Sequence, residues 1–329
     1  MPRYFSAREL DLLRVLREMF LSSEERPSVA QEPYWLSLDE LGLYDETFAQ
    51  RIGWKWDAVL SELRRRQRLP TGASVLDWGC GSGIAARRFL AAQPGVERVI
   101  LWDHSETALE FAAERVGAEF PGVTVERGLP AGPFDVLLVS HVLDELAGEA
   151  LESLFSLASS AGSVLWVEPG SRRISRRLGE LRDRLVASHD VLAPCTHSAR
   201  CGALASGDAW CHFFARPAPE VYTEGKWAEF GRELGIDLRS LPYSFIALAR
   251  PGQLSLREGP NARLLGRPRL TRGRAELELC RAEGVVSVDF LQRTDKRLFK
   301  ALDDVPGEPW LFAATIEGQR ATVLARRDV

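Results

Sequence analysis

No uninterrupted apolar run in this 329-residue chain approaches the roughly 18 residues that a membrane-spanning helix needs. A helical membrane protein is thereby excluded. Positive charge is not in excess either. Lys and Arg number 42 against 46 Asp and Glu, and the net charge of -4 argues against a chain that coats polyanions along its whole surface. Internal repeats and low-complexity tracts are missing. Cysteine is scarce, at five residues, and none of them forms the tight C-x2-C pair that zinc prefers. The first segment lacks a secretory pattern. Its Arg3, Arg8, Arg14 and Arg17 are interleaved with Glu9, Asp11 and Glu18, unlike an acid-poor transit peptide, so a cytoplasmic location is expected and disulfides are not.

What is present describes a globular protein with a sizeable core, since 45% of residues are hydrophobic and 27% charged. The length predicts a main domain with appendages. Basic residues are bunched: Arg64, Arg65, Arg66 and Arg68; then Arg172, Arg173, Arg176 and Arg177; then Arg263, Arg267, Arg269, Arg272 and Arg274; and finally Arg293, Lys296, Arg297 and Lys300. Each run alone reads as a solvated face, whereas together they make a basic surface plausible despite the acidic total.

Four of the five cysteines form one constellation. Cys195, Cys201 and Cys211 lie in APCTHSARCGALASGDAWCHFF, and Cys280 closes the strand-like run AELELC. Buried thiols or disulfides are the plain alternative. The first three, however, sit among Pro, Ser, Gly and Asp rather than in an apolar periodic run. Thiolates are soft ligands, and wide irregular gaps suit an iron-sulfur cluster better than zinc. His197 and His212 could replace one cysteine, although structural roles fit both. Cys80 reads as a packing residue.

Along the chain, Ser6 and Glu9 have capping-box spacing, and Leu10, Leu13, Leu16 and Phe20 follow one helical stripe over residues 6–21. A second helix is expected over 54–68, ending in the first arginine run. Residues 1–70 therefore read as a helical N-terminal extension. From Ser74 short aliphatic runs at 74–77, 98–103, 123–126, 134–140 and 163–168 alternate with helical stretches, the βαβ pattern of a parallel sheet covered on both faces. A helix follows at 172–185, whose stripe of Ile174, Leu178, Leu181 and Leu185 leaves Arg173, Arg176, Arg177 and Arg184 for solvent or for phosphates. A helix near 224–234 and strands at 244–250, 275–280 and 285–290 come next. A hairpin turning at Glu317 and Gly318 ends the chain. The expected division is 1–70, a main domain over 71–290 with a cysteine insertion at 190–215, and a β-rich extension over 291–329.

The first predicted strand runs into Asp77, Gly79, Gly81 and Gly83 in the order D-x-G-x-G-x-G, and a helix follows. Glycine is needed where backbone must take positive φ or touch a ligand. The N-terminus of the helix offers free N–H groups to the same crevice. Asp103 ends the second strand, where a carboxylate can accept from both ribose hydroxyls. This spacing differs from the G-x-G-x-x-G of dinucleotide dehydrogenases and resembles class I S-adenosylmethionine-dependent methyltransferases. Gly128, Ser140 and His141, at the ends of the third and fourth strands, complete the expected cofactor-binding set. No acidic partner for the adenine amine is obvious, although Glu126 lies near.

Taken with HVLDEL at 141–146, VEPGS at 167–171, APCTHSARC, WCHF at 210–213, PYSFIAL at 242–248 and LGRPRL through LELC at 265–280, the loop DWGCGSGIAARR resembles the methyltransferase-like family associated with assembly of the small ribosomal subunit. That family is known from mitochondria and from bacteria, and the resemblance covers roughly residues 50–290. It implies a Rossmann-like α/β methyltransferase domain that binds S-adenosylmethionine. It further implies a 4Fe-4S cluster on Cys195, Cys201, Cys211 and Cys280, with zinc as the alternative, and contact with small-subunit ribosomal RNA or a subunit precursor in a bacterial cytoplasm. Thr196, Ser198, the long gap to Cys211 and the C-terminal hairpin depart from the family pattern.

A catalytic group is not evident. Ala193-Pro194-Cys195 matches the nucleophile motif of RNA cytosine-5 methyltransferases superficially, but that nucleophile follows the fourth strand, and Cys195 is more economically a ligand. No N-P-P-Y-type motif is present. His141 and Glu168 could face a methyl group, yet strand-end polar residues more often cap helices. Non-catalytic assembly factor and small-molecule methyltransferase with structural zinc stand as the alternatives.

Overall fold

The computed structural model describes residues 3–21, 37–252, 259–304 and 309–327. In chain order the elements are α1 (Ala7–Leu21), α2 (Leu38–Asp45), α3 (Phe48–Arg65), β1 (Ser74–Trp78), α4 (Ile84–Ala92), β2 (Arg98–Trp102), α5 (Glu106–Glu119), β3 (Thr124–Arg127), β4 (Val136–Ser140) and α6 (Gly148–Ser160). After them come β5 (Ser163–Pro169), α7 (Arg172–Leu185), β6 (Asp190–Ala193), α8 (Gly202–Ala205), β7 (Phe213–Ala215), α9 (Glu220–Thr223), α10 (Gly225–Leu234) and β8 (Leu241–Ala249). The last are β9 (Ala262–Thr271), β10 (Arg274–Arg281), β11 (Gly284–Leu291), α11 (Lys296–Ala301), β12 (Leu311–Glu317) and β13 (Arg320–Arg326).

Two compact units share these elements. The first holds residues 1–57, 71–162 and 216–241. Its core is a parallel sheet in the order β3-β2-β1-β4, with Ser74 to Trp78 in register against Arg98 to Trp102, and Val75 to Trp78 against Val136 to Val139. Val75, Leu76, Val99, Leu101 and Val136 to Val139 are fully buried, the continuous apolar strand character of a sheet covered on both faces. Helix α1 begins with the expected reciprocal cap, in which the Ser6 N–H donates to Glu9 Oε2 at 2.7 Å and the Glu9 N–H donates to Ser6 Oγ at 3.2 Å. Strands, connecting helices and the switch from helical to strand periodicity at Ser74 agree with the sequence pattern, and the fold is the Rossmann-like α/β fold of class I methyltransferases.

The second unit holds residues 58–70, 163–215 and 242–329. In it β8 pairs antiparallel with both β5 and β6, and β7 pairs with β8. Strands β9 to β13 close into a five-stranded barrel in the order β10-β11-β13-β12-β9. Leu264, Leu277, Leu279, Val288, Phe290 and Phe312 fill its interior, and Leu298 and Leu302 of the α11 segment join the same cluster. The barrel therefore begins at Ala262, and the boundary expected at residue 290 falls inside it. Closure needs β9 to pair with β12 and β11 with β13, contacts remote in sequence that strand-by-strand periodicity does not reveal. Helix α3 likewise starts at Phe48, earlier than the expected residue 54, because its first turn packs aromatic groups: Phe48 meets Phe20 and Phe230 edge-on at 5.5 and 5.2 Å.

In the first unit a buried cation ties three helices. Arg87 of α4 donates to Asp45 of α2, and at 2.8 Å to Glu119 of α5. Arg87→Met leaves the Asp45 carboxylate buried with only Arg115, 3.9 Å away. Chemical denaturation is expected to show a loss of about 3–5 kcal/mol, and Asp45→Leu combined with Arg87→Met should cost less than Arg87→Met alone.

Candidate functional site

Two groups of residues carry chemistry, one in each unit. In the first, the turn after β1 takes positive φ at Gly79, Gly81 and Gly83, with values of 70, 52 and 75°. These are the conformations that select glycine. The turn is pinned to the neighbouring strand, since the Gly79 and Cys80 N–H groups donate to Trp102 O at 2.7 and 3.0 Å. Asp103 fixes it further by accepting from the Gly81 N–H at 2.9 Å with Oδ2 and from the Ser105 N–H at 3.0 Å with Oδ1. A Cβ on Gly79 would come 2.7 Å from Val142 Cγ1, and one on Gly83 3.2 Å from Ala112 Cβ, whereas one on Gly81 would meet nothing within 4 Å. Two glycines thus serve close packing, and the third faces open space. Gly128, φ 113°, also borders open space, and its N–H donates to Leu101 O.

Asp77 lies beneath the turn. Its Oδ2 accepts from the Ala86 N–H of α4 at 3.0 Å, while Oδ1 is buried without a hydrogen-bond partner. Burial, with a smaller contribution from the Asp103 charge, pushes its carboxyl up to about 7. The strand ends also bring together Ser140 and His141. Ser140 Oγ accepts from Trp56 Nε1 at 2.9 Å, and His141, with φ 55°, has Nε2 2.9 Å from Lys55 Nζ. Tyr44 of α2 is half-buried, and burial together with Glu145, Asp45 and Asp103 raises its phenol. Tyr44, Lys55 and Trp56 come from helices before β1 and carry no motif, so nothing in their residue types points to the site.

The second group is the cysteine set. Burial and then the neighbouring Cys195 raise Cys201; burial, Cys195, Cys280 and Cys201 raise Cys211; and burial, Cys195 and Cys201 push Cys280 up to about 12. Cys201, Cys211 and Cys280 are thus each raised by burial and by neighbouring cysteines of the set. Cys80 is buried under the glycine turn in the other unit and is not part of this set. Among the described residues, no group of three or more His, Cys, Asp or Glu side chains is arranged to hold a metal ion. His197 Nε2 lies 3.9 Å from Cys280 Sγ, and His212 stacks on Trp210 at 4.5 Å.

Helix α7 holds the loop that carries these cysteines. Arg182, almost wholly buried, donates to His197 O at 2.8 Å and Ala199 O at 2.5 Å, and the adjacent Asp183 accepts from the Cys201 N–H with both oxygens at 3.0 Å. Arg176 donates to Ala203 O, Ser206 O and Leu204 O at 2.9 to 3.2 Å. Arg176 was expected to face solvent or phosphate; instead it caps the carbonyls of α8. The apolar stripe of α7 is buried as expected. Arg66 and Arg263 also depart from the expected basic surface, with side chains only 2 and 3% exposed. Both flank Glu62, at 2.7 and 2.5 Å, and both donate to Pro194 O. Burial would raise the Glu62 carboxyl, but Arg263 and Arg66 outweigh it and hold it below the usual carboxylate range.

The family described as mitochondrial small ribosomal subunit Rsm22 matches residues 49–305. The chain belongs to the Rsm22 family. Among solved structures it is similar to magnesium protoporphyrin IX methyltransferase from Synechocystis PCC 6803 with bound SAM, at 13% identity and TM-score 0.38 over 76% of this chain and 100% of that one. It is also similar to an O-methyltransferase family protein from Burkholderia thailandensis, at 14% identity and TM-score 0.40 over 58% and 70%. A SAM dependent methyltransferase from Aquifex aeolicus follows at 15% and 0.36 over 48% and 90%. No curated protein matches the chain. The Rsm22 match includes both the glycine turn and all four clustered cysteines.

A carboxyl raised in the folded state stabilises fully below the unfolded value near 4 and loses that contribution as pH rises through the folded value. Asp77 should therefore weaken the ligand-free protein between about pH 4 and about 7. Thermal melts of the wild type and Asp77→Asn are expected to diverge over that window, with the variant relatively more stable as pH rises, and to run parallel above it.

Proposed function

We propose that this Rsm22-family chain binds S-adenosylmethionine at the turn after β1, carries a 4Fe-4S cluster on Cys195, Cys201, Cys211 and Cys280, and acts in the cytoplasm on small-subunit ribosomal RNA or a subunit precursor. The observation that carries the first part is the turn itself: three left-handed glycines, one facing open space at Gly81, with Asp103 beside it. Backbone N–H groups at the start of α4 favour the carboxylate end of an amino-acid ligand. Asp103 already holds the turn through the Gly81 N–H and would accept from ribose hydroxyls beside that bond.

S-adenosylmethionine supplies an electrophilic methyl group. What the chain contributes in this reading is binding and orientation. His141 has one ring nitrogen 2.9 Å from Lys55 Nζ and the other 3.5 Å from Ser140 Oγ, so its ring is held by neighbours rather than presented as a base. That favours, as the second reading, an assembly factor in which the fold is a platform for RNA and the cofactor a structural ligand.

Four cysteines in one unit, three of them raised by burial and by their cysteine neighbours, support the cluster, since soft sulfur donors select iron-sulfur or zinc. Zinc prefers tighter pairs such as C-x2-C, and the wide, irregular gaps between these cysteines favour the cluster over zinc. Arg182 and Asp183 of α7 would fix the loop around it.

Calorimetry with S-adenosylhomocysteine tests the cofactor. Asp103→Ala should weaken binding by at least tenfold, having lost charge-assisted hydrogen bonds worth about 1.5–3 kcal/mol each, and Gly81→Val should abolish it by filling the open space. Wild-type affinity in both variants removes the assignment. Anaerobic purification tests the cluster: iron and sulfide near four per chain are expected, falling sharply in Cys211→Ser and Cys280→Ser. Stoichiometric zinc without iron would replace the cluster by a zinc site and bring the small-molecule methyltransferase alternative forward.

A further inference from the structure

The closed barrel has a connectivity with its own meaning. Its first three strands, β9, β10 and β11, run as an antiparallel meander; α11 intervenes; β12 returns to pair with β9; and β13 pairs parallel to β11. That is the order of the oligonucleotide/oligosaccharide-binding barrel, in which the turns between strands one and two and between four and five flank the ligand. Here both turns lie against the end of β11. Gln292 N–H donates to Gly273 O, and Asp289 N–H donates to Gln319 O, each at 2.9 Å.

The charge at this rim is basic. Arg269 lies 3.9 Å from Glu276, and Arg274 is paired with Asp289 at 2.7 Å. Arg272, Arg293 and Arg320 are exposed and make no ion pair among the described residues, although Arg320 is in register with Glu317 across the turn and with Asp289 of β11. Flat groups adjoin the same strand. The register of β9 slips between its partners Glu276 and Glu278, and at this bulge Gly266 takes φ 61° and accepts the close approach of His212. The bulge sets the Arg267 guanidinium 4.1 Å over the Phe214 ring, while His212 meets Phe214 edge-on at 5.6 Å. Phe214 remains half-exposed.

We infer that the barrel rim formed by the two turns, together with the Arg267–Phe214 pair, is a binding site for single-stranded RNA. Arginines held by turns engage phosphates, and a half-exposed ring with a guanidinium laid on it offers the stacking surface that unpaired bases use without sequence preference. Duplex RNA, which hides its base faces, cannot use that surface. The inference rests on the ribosomal reading only for which RNA is met in the cell.

Fluorescence anisotropy of the full, cluster-loaded chain with a labelled 12-nucleotide single-stranded RNA, and with a duplex of equal length, tests it. Single-stranded RNA should bind more tightly than duplex and weaken steeply with salt. Arg272→Glu with Arg320→Glu should reduce affinity at least tenfold with an unchanged melting temperature, whereas the paired lysine substitutions should keep it. Phe214→Leu should cost roughly fivefold or more without changing the salt slope. Wild-type binding in the glutamate variant, or equal affinity for duplex, overturns the inference. Co-sedimentation with small-subunit precursors separates it from the broader reading: precursor binding that survives alongside unaltered oligonucleotide affinity in the glutamate variant sinks the barrel site alone, and oligonucleotide binding without co-sedimentation sinks the ribosomal assignment alone.

Discussion

The cysteine-bearing unit depends on one buried carboxylate. Glu62, in the last turns of α3, sits between Arg66 and Arg263, and each guanidinium passes on to the carbonyl of Pro194, the residue before Cys195. Arg66 and Arg68 also reach Leu192 O. A helix, the first barrel strand and the start of the cysteine loop are thus joined through ion pairs inside the protein. Each partner would be costly to bury alone, so removing one strands the others. The loop itself contains only the four-residue α8, and such a segment holds its shape through side-chain contacts rather than a ladder. Arg176, Arg182 and Asp183 supply those from α7, occupying carbonyls and the Cys201 N–H.

The same helix marks where sequence reading succeeds and fails. Its apolar stripe was legible because a 3.6-residue period fixes which side meets the core. The destination of its polar side was not, because periodicity says nothing of what packs there, and carbonyls of an irregular loop leave no signature in side-chain type. Arg176 therefore looked like surface charge, and Arg182 drew no reading at all. The glycine turn was the reverse case: positive φ at Gly79, Gly81 and Gly83 is a local demand that residue type records directly, and Asp103 follows from strand length. Tyr44 and Lys55 reach Asp103 and His141 at the strand ends from helices upstream, through contacts that only the folded chain creates. Four of the five barrel strands were legible, but β9, whose alternation Pro268 interrupts at the bulge, was not, and the closing pairs that make a barrel lie far apart in sequence.

The two sites differ in how they manage charge, and that difference bears on what each can hold. Around the glycine turn the buried groups are acids: Asp77 carries an unpartnered oxygen and a carboxyl lifted to about 7, with Asp103 near enough to add to the shift. A site with that balance favours a cationic ligand, because a positive charge relieves both the desolvation of the carboxylates and their mutual repulsion. The sulfonium and ammonium groups of S-adenosylmethionine meet this requirement, and the demethylated product, with one positive charge fewer, meets it less well.

Around the cysteines the imbalance has the opposite sign. Glu62 supplies one negative charge to two buried guanidiniums, Arg66 and Arg263, and Asp183 accounts for Arg182 alone. Buried charge in excess is rare unless something compensates it. Burial and the neighbouring cysteines raise Cys201, Cys211 and Cys280, so as thiols these three do not compensate it. The iron-sulfur centre proposed for the four cysteines would require them as thiolates and would add negative charge to this unit. The arginines would then lower the cost of deprotonating the ligands and favour the more negative, reduced state of the centre. Arg66, Arg182 and Arg263, set against Glu62 and Asp183, would favour an anionic occupant independently of the cysteine spacing.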